Sequence, residues 1–229
     1  MVEWNFQAVL ANSDLLLLGL LNTLKVTGMA LLFGVPLGLA LALLRLSTVR
    51  PLSGTAAFII ELFRTTPPLV QLFWFFFALP ILVDVRMTPF IAAIVTFSIQ
   101  SSAFFAEIFR GGILSIDRGQ WEGARAIGMS YRQSLRRIIL PQAVKRMIPA
   151  FMERSIELMK TTTLVSTVAY TDLMFQANDL AQKTFRPLEV YTVVAVMYFI
   201  LIFVFSQLSI LVEHRLARSG ESTVRRDAA

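Results

Sequence analysis

From Val190 to Val212 the chain passes through 23 residues without one charged side chain. A helix needs roughly 17 to 25 residues to cross a hydrocarbon core of about 30 Å, so this run constrains everything around it. The composition agrees: 56% of the 229 residues are hydrophobic and 16% are charged, against roughly 45 to 50% and about 25% in globular domains. The surplus apolar surface needs a solvent other than water. Four more apolar stretches precede that run, at residues 15–46, 53–83, 88–110 and 142–168, with the last at 190–212. Only helices or closed barrels satisfy their backbone in lipid, and barrel strands would be shorter and alternating. The expected fold is an all-α integral membrane protein of about five transmembrane helices, a single domain over residues 1–229. The first stretch carries Lys25, Gly34, Pro36 and Gly38 and is too short for two spans with a turn. It reads as one long helix kinked at Pro36.

The 21 Lys and Arg against 15 Asp and Glu give a net charge of +6. Nucleic acid or an anionic membrane face would both suit that balance, and position decides. Arg45, Arg50 and Arg64 lie around the first connection, Arg110, Arg118, Arg125, Arg132, Arg136, Arg137, Lys145 and Arg146 around the third, and Arg215, Arg218, Arg225 and Arg226 in the tail. The opposite side has Glu3 and Asp14 at the N-terminus, Asp84 with Arg86 in a short loop, and mixed signs between Asp172 and Glu189. By the positive-inside rule the N-terminus is outside and the C-terminus inside. The charge is topological, so no nucleic-acid partner is expected. A cleavable signal peptide is not expected either, since its first segment would be basic and its apolar run shorter. The chain has no Cys and one His, His214, which excludes thiolate zinc, cysteine nucleophiles and histidine clusters. No metal or cofactor is expected on this chain. The tail after Val212 reads as slack.

The longest non-spanning segment, 111–141, reads as two short helices. Asp117 with Gln120, and Ser130 with Gln133, have capping-box spacing. Gly128 suits the left-handed residue that ends the first helix, and Pro141 suits the first turn of the fourth span. Trp121, Ala124 and Ile127 fall at helical spacing, with Arg125, Arg132, Arg136 and Arg137 on the outer side. Such a hook either lies on anionic membrane lipid or seats a helix in the groove of a cytoplasmic partner.

Glu122-Gly123-Ala124, three residues, Gly128, nine residues, then Ile138-Ile139-Leu140-Pro141 resembles the EAA signature of the membrane-spanning subunits of bacterial ABC importers, with Gly123 in place of an alanine. Flanking blocks agree: Glu61 to Pro67, Ala106 to Ile113 and Lys160 to Ser166 resemble the polar amino-acid branch. The resemblance implies a permease in the bacterial inner membrane whose hook is a coupling helix, carried by Glu122, Gly123, Ala124, Gly128, Ile138, Leu140 and Pro141. It implies cytoplasmic ATPase subunits, a second permease copy or homologue, and an extracytoplasmic amino-acid-binding protein as partners. The sequence has no G-x-x-x-x-G-K-[ST] phosphate loop, so ATP and Mg are expected on the partner ATPase and this chain is not expected to be an enzyme. A membrane scaffold or sensor recruiting another partner, and an ATP-independent channel, are the competing classes.

The fourth span carries Arg146, Glu153, Arg154, Glu157 and Lys160. At about 100° per residue, Arg146, Glu153, Glu157 and Lys160 share one face within roughly 60°. Charges at such depth usually face a bundle interior or water. The stripe therefore reads as a hydrated path for an amino acid, a gate, or an ion-pair ladder between subunits. Glu153 and Glu157, four residues apart, repel unless a cation lies near, and Lys160 is three residues beyond Glu157.

Overall fold

The computed structural model describes residues 4–226, with side chains through residue 213. Glu3 lies outside the described residues, as do the side chains of His214 and the tail arginines. Among the described residues the fold is entirely helical. A single turn, α1 (Gln7–Leu10), precedes α2 (Ser13–Arg45), which continues unbroken through Pro36. Next come α3 (Arg50–Thr65) and α4 (Pro68–Val83), then α5 (Pro89–Leu114). The hook helix α6 (Arg118–Ala126) leads into α7, residues 131–161, which comprises Tyr131–Ser134, a π turn at Leu135–Ile139, and Leu140–Thr161. A 3-10 segment, Thr162–Val168, leads to α8 (Leu173–Thr184) and α9 (Pro187–Arg226).

Among the described residues, three helices are long and apolar enough to cross a membrane: α2, α5 and Pro187–Glu213 of α9. The stretch expected as one span at 53–83 is instead a bent pair, α3 and α4, meeting at 104°. Thr66 and Pro67 are extended there, and Pro67 and Pro68 have no N–H to continue a helical ladder. The expected span at 142–168 differs at both ends. Its helix starts in the hook, at Tyr131, and its final seven residues tighten into the 3-10 segment. The third span runs on from 110 to Leu114, shortening the loop expected at 111–141. Between Asp172 and Glu189, where only mixed charge was visible, α8 forms, and the tail expected to be slack continues α9 to Arg226.

The core is built on α2 against α5. Gly34 and Gly38, four residues apart, lie against Ser98, Ser101, Ser102 and Phe105 of α5. A Cβ at Gly38 would sit 2.8 Å from both Phe105 Cβ and Ser102 O, so the missing side chain lets the backbones meet, as small residues do in membrane helix pairs. Around this seam Val26, Ala30, Ala93, Phe97, Leu158 and Val165 form a buried cluster that brings α7 against α2 and α5. At the N-terminal end of α2, α8 is held by a cap and a close contact. Asp172 Oδ1 accepts from Phe175 N at 2.9 Å, Leu173 N donates to Thr23 Oγ1 at 3.2 Å, and Gly19 lies against Leu173 Cα.

Candidate functional site

Two polar regions stand out on this apolar frame, the hook and the charged face of α7. In the hook, Asp117 Oδ1 accepts from Gly119 N at 2.7 Å and starts α6. Gln120 does not complete the expected box, because its side chain instead accepts from Gln142 Nε2 at 3.1 Å. The Ser130–Gln133 box forms in full: Ser130 N donates to Gln133 Oε1 at 2.9 Å and Gln133 N to Ser130 Oγ at 3.3 Å. Gly128 adopts φ 78°. Its N–H donates to Arg125 O at 2.9 Å and that of Met129 to Ala124 O at 3.1 Å, closing the helix end with a left-handed glycine. The second hook helix is not separate, however; a π turn splices it into α7.

The signature residues divide into anchors and a free surface. Ala124 and Ile139 are buried and Ile138 half-buried, and Ile116, Ile139, Ala143 and Met147 form the cluster that fixes the hook to α5 and α7. Glu122, Gly123, Gly128, Leu140 and Pro141 are exposed. Ile127, expected on the apolar face with Trp121 and Ala124, instead points outward at 75% exposure, because the chain has left helical phase there to reach Gly128. Trp121 stacks on Tyr131 with ring centroids 5.5 Å apart, tying the two arms of the hook together.

On α7 the faces also separate. Glu153, Glu157 and Lys160 are exposed along one side, with Arg146 in line but engaged: its guanidinium donates to the carbonyl of Ser115 at the end of α5. Glu157 pairs with Arg154 at 2.8 Å, and no ion pair of Lys160 occurs among the described residues. Arg154, absent from the stripe read by periodicity, is the buried member at 6% exposure. Its guanidinium lies 3.6 Å from the centroid of Phe104, and that of Arg64 approaches the same ring at 5.6 Å. Four residues from three helices, Arg64 of α3, Phe104 of α5, and Arg154 and Glu157 of α7, thus form one cluster. A desolvated guanidinium over an aromatic face is stabilised by the ring quadrupole, which is how a cation is held inside an apolar bundle. The sequence signal for Arg154 was its charge alone; nothing in its spacing marks the ring it meets. Glu107, in a family-like block, pairs with Arg110 at 2.7 Å. Lys25 is exposed, with its ammonium 4.8 Å from the centroid of Phe90, which stacks on Tyr170.

Residues 34–218 match the family described as binding-protein-dependent transport system inner membrane component. The chain belongs to this family. It is 34% identical to the arginine transport system permease protein ArtQ of Bacillus subtilis (strain 168), over 93% of this chain and 97% of that one. It is also 33% identical to the glutamate/aspartate import permease protein GltK of Escherichia coli O6:H1, over 88% and 93%. A chain in the crystal structure of an amino acid ABC transporter with histidines superposes with a TM-score of 0.89 at 36% identity, covering 93% of this chain and all of that one. A chain of the MetNI methionine ABC transporter, at 23% identity and a TM-score of 0.73, shares the fold. This binding-protein-dependent inner-membrane component is therefore a multi-pass permease subunit of an ABC importer, and the expected family is the one found. Both the hook and the charged face of α7 fall within the matched region.

Proposed function

We propose that this permease moves a polar amino acid across the bacterial cytoplasmic membrane by alternating access, driven by separate ATPase subunits that bind and hydrolyse ATP with Mg. The observation that carries the reading is the division of the hook into a buried anchor, Ala124 with Ile138 and Ile139, and an exposed surface at Glu122, Gly123 and Ile127. A body bound to that surface would push on α7 directly through the continuous π turn. In this arrangement the bent pair and α7 act as the second and fourth of five spans, the N-terminus is outside, and the hook and C-terminus face the cytoplasm. A second copy or a homologue completes the path, and an extracytoplasmic binding protein delivers substrate. Glu153, Glu157 and Lys160 line the path or its gate, offering partners of both signs to an ammonium and a carboxylate. The relatives named for arginine and for glutamate/aspartate support an amino-acid cargo.

The test is a mild-detergent pull-down of wild type and Gly128→Val from native membranes. No atom lies within 4 Å of a Cβ built at Gly128, whose φ is 78°, so the change acts through backbone strain at the end of α6 alone. An ATPase retained by wild type and lost by the variant supports the reading. A wild type that brings down no ATPase, under conditions that keep other importers whole, sinks it.

A further inference from the structure

The elbow between α3 and α4 is the least expected feature of the backbone, and its hydrogen bonds explain how it persists in an apolar surrounding. In an unbroken helix the carbonyl of Phe63 would accept from the N–H of residue 67, and that of Arg64 from residue 68. Both are prolines, so neither donor exists. A bare carbonyl inside a bundle costs as much as a lost hydrogen bond. Gln71 supplies the donor for Phe63. Its side-chain Nε2 donates to Phe63 O at 2.9 Å and to Thr66 O at 2.8 Å, and its own N–H donates to Pro67 O at 3.2 Å. Three bonds from one residue therefore join the end of α3, the extended corner and the start of α4. The side chain is 4% exposed, and the stacked rings of Phe63 and Phe75, 6.5 Å apart, close the same corner. Arg64 follows Phe63 directly, and its guanidinium shares the Phe104 ring with Arg154, the buried partner of Glu157.

We infer that Gln71 is a positioning residue for transport, its side chain replacing the proline-deleted donor to Phe63 O and also holding Thr66 O at the corner, so that it locks the elbow and sets Arg64 against the Phe104, Arg154 and Glu157 cluster. It touches no substrate in this role; it acts through the corner it holds. The inference rests on the transport reading above, but the lock itself is measurable without transport.

The chain has no Cys, so a pair of cysteines at Phe58 on α3 and Ile81 on α4, both well exposed, can carry spin labels without background. The complete transporter, spin-diluted with unlabelled permease, is compared as wild type, Gln71→Met and Gln71→Glu. Met keeps the length and removes both donors, and Glu keeps the planar shape in case Met prevents folding. One narrow distance in wild type, broadened or shifted by several ångströms in the variants, is expected, together with about a tenfold fall in amino acid moved per ATP hydrolysed. That ratio is insensitive to how much protein folds. An unchanged distance, or a changed distance with an unchanged ratio, overturns the inference. A wild type with a narrow distance but no amino-acid uptake would instead count against the transport reading and leave the lock standing.

Discussion

Alanine in place of Gly38 and in place of Gly28 should move stability in opposite directions, although both residues sit in α2. At Gly38 the new Cβ would lie 2.8 Å from Phe105 Cβ, 2.8 Å from Ser102 O and 3.3 Å from Ala106 N. Two of these are backbone atoms and the third is the root of a side chain buried at 0% exposure, so no rotamer change relieves the contact. The helices must separate by about 0.6 to 1 Å to restore ordinary van der Waals contact, and overpacking of this kind costs about 1 to 3 kcal/mol. Alanine returns about 1 kcal/mol of helix propensity, and the lost packing at neighbouring Gly34 adds to the cost, leaving Gly38→Ala destabilised by about 1 to 2 kcal/mol. At Gly28 nothing lies within 4 Å, so the propensity gain of about 0.5 to 1 kcal/mol stands alone. The variants should differ by about 2 kcal/mol, which for a chain of this size is about 4 to 8 °C in midpoint. Thermal unfolding of the detergent-purified protein, at one scan rate, measures the difference. A Gly38→Ala midpoint at or above that of Gly28→Ala would refute the claim that the α2–α5 seam depends on close backbone approach.

The carboxyl of Asp172, in the connection between the 3-10 segment and α8, is pushed up to about 6 by burial, against hydrogen bonds that lower it. The folded state then holds a proton that the unfolded state releases near 3.8, so this group's contribution to stability should be greatest below about pH 4 and fall by about 3 kcal/mol as pH rises from there through 6. Asp172→Asn keeps the cap to Phe175 and should flatten the profile, raising the midpoint at pH 7.5; unfolding scans from pH 4 to 8 would show whether it does. In the hook, Ile139→Ala should cost about 2 to 4 kcal/mol, because the side chain is fully buried. Leu140→Ala, at a residue 43% exposed, should cost less than about 1 kcal/mol, and equal losses would mean that the anchor has been assigned to the wrong face.

The parts of this fold that rest on local chemistry could be read in the sequence. The uncharged run of α9 and the apolar runs of α2 and α5 needed only length, and the Ser130–Gln133 box and Gly128 cap needed only neighbours three to five residues away. The elbow was half visible. Pro67 and Pro68 announce a break, but the corner is closed by Gln71 reaching back to Phe63, a contact that apolar length does not encode. Helix α8 was hidden because its periodic face, with Leu173, Ala177 and Leu180, is short and interrupted by polar residues, while its cap depends on packing against Thr23 and Gly19. Arg154 was passed over for a related reason. Periodicity groups charges that share a face, and Arg154 is stabilised by an aromatic ring on another helix.

The exposed stripe of Glu153, Glu157 and Lys160 bears on how the subunit is made. A chain inserted alone would present those charges to hydrocarbon, at about 2.5 to 3.5 kcal/mol for each aspartate-like or lysine-like group near the centre of a span. Among the described residues no ion pair neutralises Glu153 or Lys160, and Arg154 pairs with Glu157. Such a copy would thin the bilayer around itself or draw water inward, and a membrane protease that recognises poorly inserted helices would meet it in that state. On the proposed pairing of copies, covering this face would remove that cost, so solitary copies are expected to be the less stable form in the membrane.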